Sequence, residues 1–388
     1  MRIPLVLLGF ILSLASAAPA AAQAVVRIGL SVPLTGADAG FGQGLRSGAE
    51  QAVADLNRAG PRRYALVVAD DSGEPRQAAA VAARFAAESV AVVIGPFESS
   101  AVAAALPIYE RAGTVLISPG ATYGPLTARG AWNLFRLGAS DPQQARAAAE
   151  YLFKAYPGRP IGLVNDRTTF GRSLADGVAA RLRELGQREA VSEAFDQGSP
   201  DLTAVVRRLA EAQVAAVYFG GLAPEAVSLV RAMRDAKLDA TLVASDGILD
   251  PAFAALGAAG DGTVMTMAPE PPRLPEPPGA KALLRTPEAN AVAAGAYAAV
   301  QVFAQAIDRE PVVDPRTGRA DGRKLAQTLR SGSWKTVLGP VGFDKQGDQS
   351  GGAVVLRVWR SLSDGRLDFA GQDVPAGLRP ATGGPALN

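Results

Sequence analysis

Apolar runs typical of strands alternate with helix-like patterns along most of the chain, and this alternation restricts the fold more than any other feature. From Val25 to about Met267, each short β-rich run is followed by a stretch with apolar residues at helical spacing. Such βα units predict a parallel sheet covered by helices on both faces, which is a doubly wound α/β fold. The pattern breaks near Gly138 and restarts at Ile161, so we expect two similar α/β lobes.

The pattern places strands and helices at definite positions. The predicted strands are 25–32, 64–69, 90–94, 114–117, 132–136, 161–165, 190–195, 214–219, 241–244, 339–343 and 353–359. The predicted helices are 45–56, 77–87, 99–111, 174–185, 202–212, 225–236, 288–308 and 323–330.

Two predicted strands end in turns that offer hydroxyl groups. They are Ile94-Gly-Pro-Phe-Glu-Ser-Ser100 and Ile117-Ser-Pro-Gly-Ala-Thr122. In an open α/β sheet, ligands bind at the carboxyl ends of the strands, and the helix that follows presents free N–H groups to an anion. We therefore expect Ser99 and Thr122 to converge on a small anionic group such as a carboxylate. The alternatives are that Ser99 only caps its helix and that Thr122 caps a turn.

The composition excludes several classes of protein. The chain has 39 basic and 37 acidic residues, which argues against electrostatic binding to nucleic acid. It contains neither cysteine nor histidine, so thiolate nucleophiles, Cys or His metal sites and histidine acid–base catalysis are impossible. We expect no enzyme activity, no cofactor and no metal.

The two ends of the chain differ in composition from the region between them. A basic N-terminal part, an apolar run and an Ala-rich cleavage region predict a cleaved signal peptide over 1–24, and hence export to the periplasm. A Pro-rich stretch, 268–279, predicts an extended surface segment. The predicted division is a signal peptide at 1–24, a first lobe of 25–138 with 268–343, a second lobe of 139–267 with 344–370, and a disordered tail at 371–388.

Two further motifs fit poorly with the chemistry they suggest. Gly40-Phe-Gly-Gln-Gly44 lacks the Gly-x-Gly-x-x-Gly register of a dinucleotide loop. Asp70 and Asp71 could suggest a metal site, but no third ligand is spaced nearby, so we interpret them as a solvated pair. Asp38 is expected to be exposed in the loop before the first helix.

Motifs over almost the whole mature chain resemble those of the periplasmic leucine/isoleucine/valine-binding proteins, the substrate-binding subunits of ABC importers. They are Ser31-Val-Pro-Leu-Thr-Gly36, Gly48-Ala-Glu-Gln-Ala52, Asp70-Asp71, Ile94-Gly95, Ile117-Ser-Pro-Gly-Ala-Thr122, Val217-Tyr-Phe-Gly-Gly221 and Gly339-Pro-Val-Gly-Phe-Asp344. The resemblance implies a type I periplasmic binding fold, in which two lobes joined by three crossings hold the ligand between them. We place the crossings near Gly138, Met267 and Phe343.

The resemblance also implies a set of ligand-binding residues. In the family, the positions of Ser99 and Thr122 hold an amino acid's carboxylate, and the carbonyl at Gly120 faces the ammonium. The second lobe supplies an acid for the ammonium, here Asp246 in Ala244-Ser-Asp-Gly247. Apolar residues complete the expected pocket: Phe41 and Phe170 flank the ligand, and Phe97 and Leu222 line the side-chain pocket.

The chain departs from the family pattern at several of these positions. The family's two loop cysteines fall at Gly73 and Glu98, so its disulfide is absent. Asp246 is one methylene shorter than the usual Glu, and Phe41 and Phe170 replace tyrosines. Alternatives from the residues alone are an Asx turn for Asp246 and core packing for the two phenylalanines.

The function implied is a monomeric periplasmic protein that captures a small carboxylate, an amino acid above all, and delivers it to an ABC transporter permease. Two alternatives stay open. Because the pocket is expected to be dry, the same fold could bind an aromatic or other small organic acid that lacks an amine. It could also act as a ligand-sensing module.

Overall fold

The computed structural model of the protein describes residues 24–36, 38–199, 201–269, 287–350, 354–369 and 371–378. The predicted signal peptide therefore lies outside the described residues except for Ala24, as does most of the Pro-rich stretch. Within the described ranges, no helix combines the length and the apolar character needed to cross a bilayer.

The first part of the chain alternates strands and helices as the pattern predicts. Its elements are β1 (Val26–Val32), α1 (Ala39–Ala59), β2 (Tyr64–Asp70), α2 (Pro75–Ala87), β3 (Val92–Ile94), α3 (Ser99–Ala112), β4 (Leu116–Ser118), α4 (Pro125–Ala128) and β5 (Leu134–Arg136).

The second part repeats the alternation. Its elements are α5 (Asp141–Ala155), β6 (Ile161–Asn165), α6 (Thr169–Glu184), β7 (Val191–Ala194), α7 (Thr203–Glu211), β8 (Ala216–Gly220), α8 (Ala223–Asp235), β9 (Thr241–Ser245), α9 (Pro251–Ala254) and β10 (Val264–Met267). Two 3₁₀ turns, Asp246–Ile248 and Gly257–Gly260, follow β9 and α9.

The remaining elements pack on both of the parts described above. They are α10 (Pro287–Arg309), α11 (Gly322–Ser331), β11 (Ser333–Thr336), β12 (Gly339–Phe343), β13 (Gln349–Ser350), β14 (Val355–Val358), β15 (Arg360–Ser361), β16 (Leu367–Asp368) and a 3₁₀ turn at Ala376–Leu378.

Two separate sheets form the framework. The first is parallel with strand order β2-β1-β3-β4-β5, and the second has the order β7-β6-β8-β9-β10-β14, in which β14 runs antiparallel to β10. In the first sheet, Ile94 of β3 aligns with Leu30 of β1 and with Ile117 of β4. The loops after these three strands therefore open at one edge, where a doubly wound fold binds ligands.

Helices bury both faces of each sheet. In the first lobe, defined as the first sheet with the elements packed on it, α1, α10 and α11 cover one face, and α2 and α3 cover the other. The hairpin of β11 and β12 packs on the same core, because Trp334, Val341 and Phe343 join it. In the second lobe, α5 and α6 cover one face of the second sheet, and α7 and α8 cover the other.

A glycine brings α1 and α10 together. A Cβ at Gly48 would lie 1.9 Å from the carbonyl oxygen of Ala293, so only glycine permits this approach of the two helices. The contact fixes the late helix α10 against the first helix of the chain.

The structure corrects two boundaries predicted from the sequence. The third crossing was expected near Phe343, but β13 still pairs with β12 as far as Ser350, and Val355 already pairs with Met267 in the second sheet. A disordered tail was expected from Gly371, but this is wrong for residues 371–378. There Val374 is only 1% exposed, and Asp373 forms a bridge with Arg357 beside the second sheet.

Candidate functional site

A cavity of about 140 Å³ lies between the two lobes at the carboxyl ends of their strands. All eight residues predicted for the site line it: Phe41, Phe97, Ser99, Gly120, Thr122, Phe170, Leu222 and Asp246. The sequence analysis did not identify the remaining lining residues: Glu98, Pro119, Leu137, Gly138, Ala139, Gly247, Leu249, Met267, Ala268, Pro269, Val292, Gly295 and Leu338.

Ser99 lies at the start of α3, where its side chain does not cap the helix. It is the first helical residue, the cap position before it is Glu98, and no side chain caps this end. The Ser99 side chain is 4% exposed, and its Oγ accepts a hydrogen bond from the Tyr123 N–H at 3.3 Å. The capping alternative is therefore wrong, and the hydroxyl proton of Ser99 is available to a ligand.

Thr122 lies in the turn after β4, which is held in place by the Ser118 hydroxyl. Ser118 Oγ donates to the Pro96 carbonyl at 2.8 Å and accepts from the Ala121 N–H at 3.1 Å. The buried Oγ1 of Thr122 faces the Asp141 carboxyl but makes no hydrogen bond of ordinary geometry with any described residue. An unpaired buried hydroxyl is costly, so a ligand atom here would remove a penalty.

Aromatic rings form much of the apolar wall. Phe41 and Phe97 stack with their centroids 4.9 Å apart and their planes at 20°. Phe170 comes from α6 in the second lobe and lies against Gly247, where a Cβ would be only 2.8 Å from its ring. Phe41 and Phe170 both line the cavity, and each also packs in the interior: Phe41 is buried, and Phe170 lies against the core under α5 and α6.

Asp246 begins the 3₁₀ turn after β9, and a buried glutamine holds its carboxylate. Gln144 Nε2 donates to Asp246 Oδ1 at 2.8 Å, while the neighbouring Ser245 hydroxyl, not Asp246, accepts from the Gly247 N–H. An Asx turn would need a bond to the carboxylate from the Ile248 N–H, two residues on, and among the described residues the bond to this carboxylate comes from Gln144 instead, so the Asx-turn alternative is wrong. Burial, with a further contribution from the charge of Asp141, raises the pKa of Asp246 to about 6, against the opposing bond from Gln144.

A cluster of carboxyl groups from both lobes lies beside the cavity, and we name it the cleft carboxyl cluster. Its members are Asp38, Asp71, Glu98, Asp166, Glu225 and Asp250. Burial, followed by the charge of Asp38, raises the pKa of Glu98 to about 8. Burial, followed by the charges of Glu225 and Asp250, raises the pKa of Asp38 to about 6. Asp38 is half-buried, so its expected exposure is wrong.

The Asp38 and Glu98 side chains face each other and occupy the space next to Gly73. A Cβ built on Gly73 would lie 3.4 Å both from Asp38 Oδ2 and from Glu98 Cγ. Positions 73 and 98, where the resembling family has its cysteines, are thus neighbours. In this chain a carboxyl pair lies where the family has the covalent link.

Asp70 and Asp71 have structural roles at the end of β2. Asp71 is fully buried and accepts a hydrogen bond from the Ser31 hydroxyl at 2.6 Å, so the interpretation as a solvated pair is wrong for this residue. Asp70 accepts from the Leu34 N–H at 2.8 Å and from the Thr35 hydroxyl at 2.6 Å. Among the described residues, no group of acidic side chains has the arrangement of a metal site.

Gln144 is the most informative polar residue that the sequence analysis missed, because the helix that carries it, α5, was not predicted. A signal for this helix existed in Ser140 and Gln143, which have the spacing of a capping box. Gln143 Oε1 accepts from the Ser140 N–H at 2.9 Å. The capping box would have located α5, although not the contact between Gln144 and Asp246.

Comparison with known proteins identifies the family. The sequence profile of the periplasmic binding protein family matches residues 25–365, which is most of the chain. The chain belongs to the periplasmic binding protein family. A Leu/Ile/Val-binding protein homolog from Brucella melitensis is 35% identical over 358 residues, covering 90% of this chain and 95% of the relative.

Solved structures of similar fold come with different ligands. An ABC transporter substrate-binding protein from Desulfitobacterium hafniense in complex with Leu has a TM-score of 0.69 and 25% identity, covering 89% of this chain and 100% of that one. A solute-binding protein of an ABC transporter from R. palustris in complex with 4-hydroxybenzoate has a TM-score of 0.77 and 17% identity, covering 90% of this chain and 96% of that one. The second likeness concerns the fold alone.

These comparisons confirm the resemblance and the predicted fold class. This periplasmic binding protein has the type I fold of its family, built from two doubly wound α/β lobes. The family is one of solute-binding proteins, and membership implies a periplasmic location and a small-molecule ligand.

Proposed function

We propose that this periplasmic binding protein captures an amino acid with an apolar side chain and delivers it to the permease of an ABC importer. The observation that carries the proposal is the charge pattern of the cavity. Ser99 and Thr122 offer neutral hydroxyl groups on the first lobe, Asp246 offers a carboxylate on the second, and the lining residues that the structure describes include no Lys or Arg.

This pattern suits a zwitterion better than a simple anion. The ligand's carboxylate would be bound by the Ser99 and Thr122 hydroxyls and by N–H groups at the start of α3. Its ammonium would pair with Asp246, and the carbonyl of Gly120 would accept a second hydrogen bond from it. A ligand with a carboxylate alone would bring a second negative charge close to Asp246, and no cationic side chain among the described lining residues would offset it.

The size of the cavity and its walls indicate the side-chain class. Apart from the polar groups named above and Glu98, the lining is apolar, with leucine, valine, methionine and phenylalanine side chains. Its volume of about 140 Å³ is close to that of an apolar cavity known to hold one benzene molecule, roughly 150 Å³. The ligand would therefore be small, and leucine, isoleucine and valine are the first candidates. Relatives described as Leu/Ile/Val-binding homologs support this choice.

Ligand capture would use closure of the two lobes. Hydroxyl groups on the first lobe would bind the ligand first, and closure would then bring Asp246 and Phe170 onto it. The ligand can favour the closed form only by its higher affinity for that form, which the contacts with Asp246 would supply. The permease would recognise the closed form of a monomer.

The substitution Asp246→Asn tests the proposal. Asparagine keeps the shape and the acceptor for Gln144 but removes the charge, so leucine affinity should fall roughly tenfold or more, as expected for a lost hydrogen-bonded charge pair. Titration calorimetry at pH 7.5 measures the dissociation constant. Asp176→Asn, at an exposed position on α6, is the matched control and should bind leucine like the wild type. Undiminished leucine binding by Asp246→Asn, or no amino-acid binding by the wild type, would contradict the proposal.

A second candidate is an aromatic carboxylate, favoured by the stacked rings of Phe41 and Phe97 and by a cavity that fits one benzene-sized ring. An amine-free acid would not use Asp246, so Asp246→Asn should bind benzoate or 4-hydroxybenzoate at least as tightly as the wild type. A thermal-shift panel of aliphatic amino acids against these aromatic acids separates the two candidates. Stabilisation by the aromatic acids alone would favour the second.

A further inference from the structure

A buried chain of hydrogen bonds ends on Asp246. The Thr266 hydroxyl on β10 donates to Gln144 Oε1 at 2.9 Å, and Gln144 Nε2 donates to Asp246 Oδ1 at 2.8 Å. The Gln144 and Thr266 side chains are both 0% exposed. We propose that Gln144, held by Thr266, is a positioning residue that fixes the Asp246 carboxylate for the ligand's ammonium. This inference rests on the proposed function.

The hydrogen bonds define which end of the Gln144 amide faces Asp246. If the amide were turned over, its oxygen would face the carboxylate, and its NH₂ group would face the Thr266 hydroxyl. The first of these contacts would place two acceptors together in a buried site, which is unfavourable. The Asp246 carboxylate therefore selects the orientation with the NH₂ group towards it, and the Thr266 hydroxyl then donates to Oε1 on the other side of the amide.

The surroundings of Asp246 make this donor important. Burial and the charge of Asp141 on α5 both favour the neutral form of Asp246, and the bond from Gln144 is the main influence in the opposite direction. Tyr218 on β8 also lies close, and burial together with Asp141 and Asp246 raises its pKa, so it remains neutral. Gln144 therefore both directs the Asp246 carboxylate and helps to keep it charged, which is the form that an ammonium requires.

The three residues come from three different elements of the second lobe. Gln144 lies on α5, which directly follows the first crossing between the lobes, and Thr266 lies next to the last residue of β10, after which the chain returns to the first lobe. Asp246 lies in the turn after β9. The rigid core of the second lobe thus sets the direction of the carboxylate, so Asp246 needs no ligand to become ordered.

The test compares Gln144→Met and Thr266→Val with the wild type, using L-leucine as the probe and calorimetry between pH 5 and 8. Methionine keeps the length of the side chain but removes the donor. Leucine affinity of Gln144→Met should fall roughly tenfold at pH 7, as expected for a lost hydrogen bond to a charged group. Thr266→Val should lose less. Thr263→Val, which removes another buried hydroxyl directly before β10, is the matched control and should bind normally, because that hydroxyl has no hydrogen-bond partner among the described residues.

The pH profile separates positioning from simple packing. An ammonium needs ionised Asp246, so the contribution of Asp246 to wild-type affinity is retained above a pH of about 6 and falls below it. Without the Gln144 donor, the pKa of Asp246 rises, so the fall should begin at a higher pH. Asp38 and Glu98 titrate in the same range, but they are the same in all variants, and the difference from the wild type isolates Asp246.

Two outcomes overturn the inference. One is a Gln144→Met profile that is displaced by the same factor at every pH, which indicates lost packing. The other is wild-type binding by this variant. If Gln144→Met does not fold, the Thr266→Val profile decides by the same criterion. Failure of the wild type to bind any amino acid would instead show that the proposed function is wrong.

Discussion

Gly120 controls the position of the ring that forms one wall of the cavity. A Cβ added at this position would lie 2.1 Å from Cδ2 and 2.7 Å from Cε2 of Phe97, whereas ordinary contacts begin near 3.4 Å. The ring in Gly120→Ala must therefore move by more than about 1 Å, a shift typical of an overpacked site. It can do so only by disturbing its stack on Phe41 or by entering the cavity.

The two routes give measurable costs. Overpacking should lower the free energy of unfolding by ~1–3 kcal/mol. A ring displaced into a cavity of about 140 Å³ leaves too little room for a branched side chain, so leucine affinity should fall at least tenfold. Urea unfolding measures the first effect, and calorimetry with leucine measures the second.

A double-mutant cycle shows whether the clash is the cause. Phe97→Ala removes Cγ, Cδ2 and Cε2, the ring atoms that the new methyl group would touch, so Gly120→Ala should cost far less affinity in the Phe97→Ala background than in the wild type. Equal losses in both backgrounds would refute the reasoning, because the methyl group would then act without Phe97. Unchanged binding by Gly120→Ala alone would show that the ring does not limit the cavity.

Two further predictions concern charges near the cleft and the hinge. Asp38→Asn removes a carboxylate that closure brings towards the acids of the second lobe. Ligand affinity at pH 8 should therefore rise roughly three- to tenfold. Calorimetry should also show that lowering the pH from 8 to 6 increases the affinity of this variant less than that of the wild type. An unchanged pH profile would contradict this prediction. Asp348→Ala removes the carboxylate that lies 2.7 Å from the buried guanidinium of Arg136, and should lower the free energy of unfolding in urea by about 3 kcal/mol. The control, Asp364→Ala, removes the carboxylate of an exposed pair with Arg366 and should lower it by less than about 1 kcal/mol. Equal costs for these two variants would contradict the second prediction.

Local patterns were sufficient to predict the sheet framework. The strands of both sheets are short and rich in buried β-branched residues, and turn residues separate them from helices with an apolar stripe. The predicted strand 161–165 coincides with β6, and the predicted helix 323–330 lies within α11. The helix α5 was missed because half of its buried residues are alanine and two more are polar at its start, which gives a weak periodic signal.

The predicted site residues share one property, since each lies in a loop or a helix start at the carboxyl end of a strand. This position can be read from sequence, and all eight line the cavity. Residues such as Leu338 and Val292 could not be found in this way. They reach the cavity because the chain folds back from the second lobe onto the first, and local sequence patterns do not predict such a contact between distant segments.

The burial of the acidic groups was also beyond the sequence. Asp38 and Glu98 have ordinary surface composition around them, and only the packing of α1 against the loop after β3 places them together. Asp71 was expected to be solvated, but it lies under the turn that follows β1. Burial of a polar group depends on which distant segments cover it, and the spacing of residues along the chain does not encode this.

The way both lobes are completed late in the chain affects how the protein is made. The core of the first lobe includes Phe303 and Ile307 of α10, and the cores of the second include Leu356 and Trp359 near the carboxyl terminus. Neither lobe can bury its apolar interior until most of the polypeptide has been synthesised. A nascent chain with this connectivity would complete both cores late, when the residues of α10 and β14 have been made.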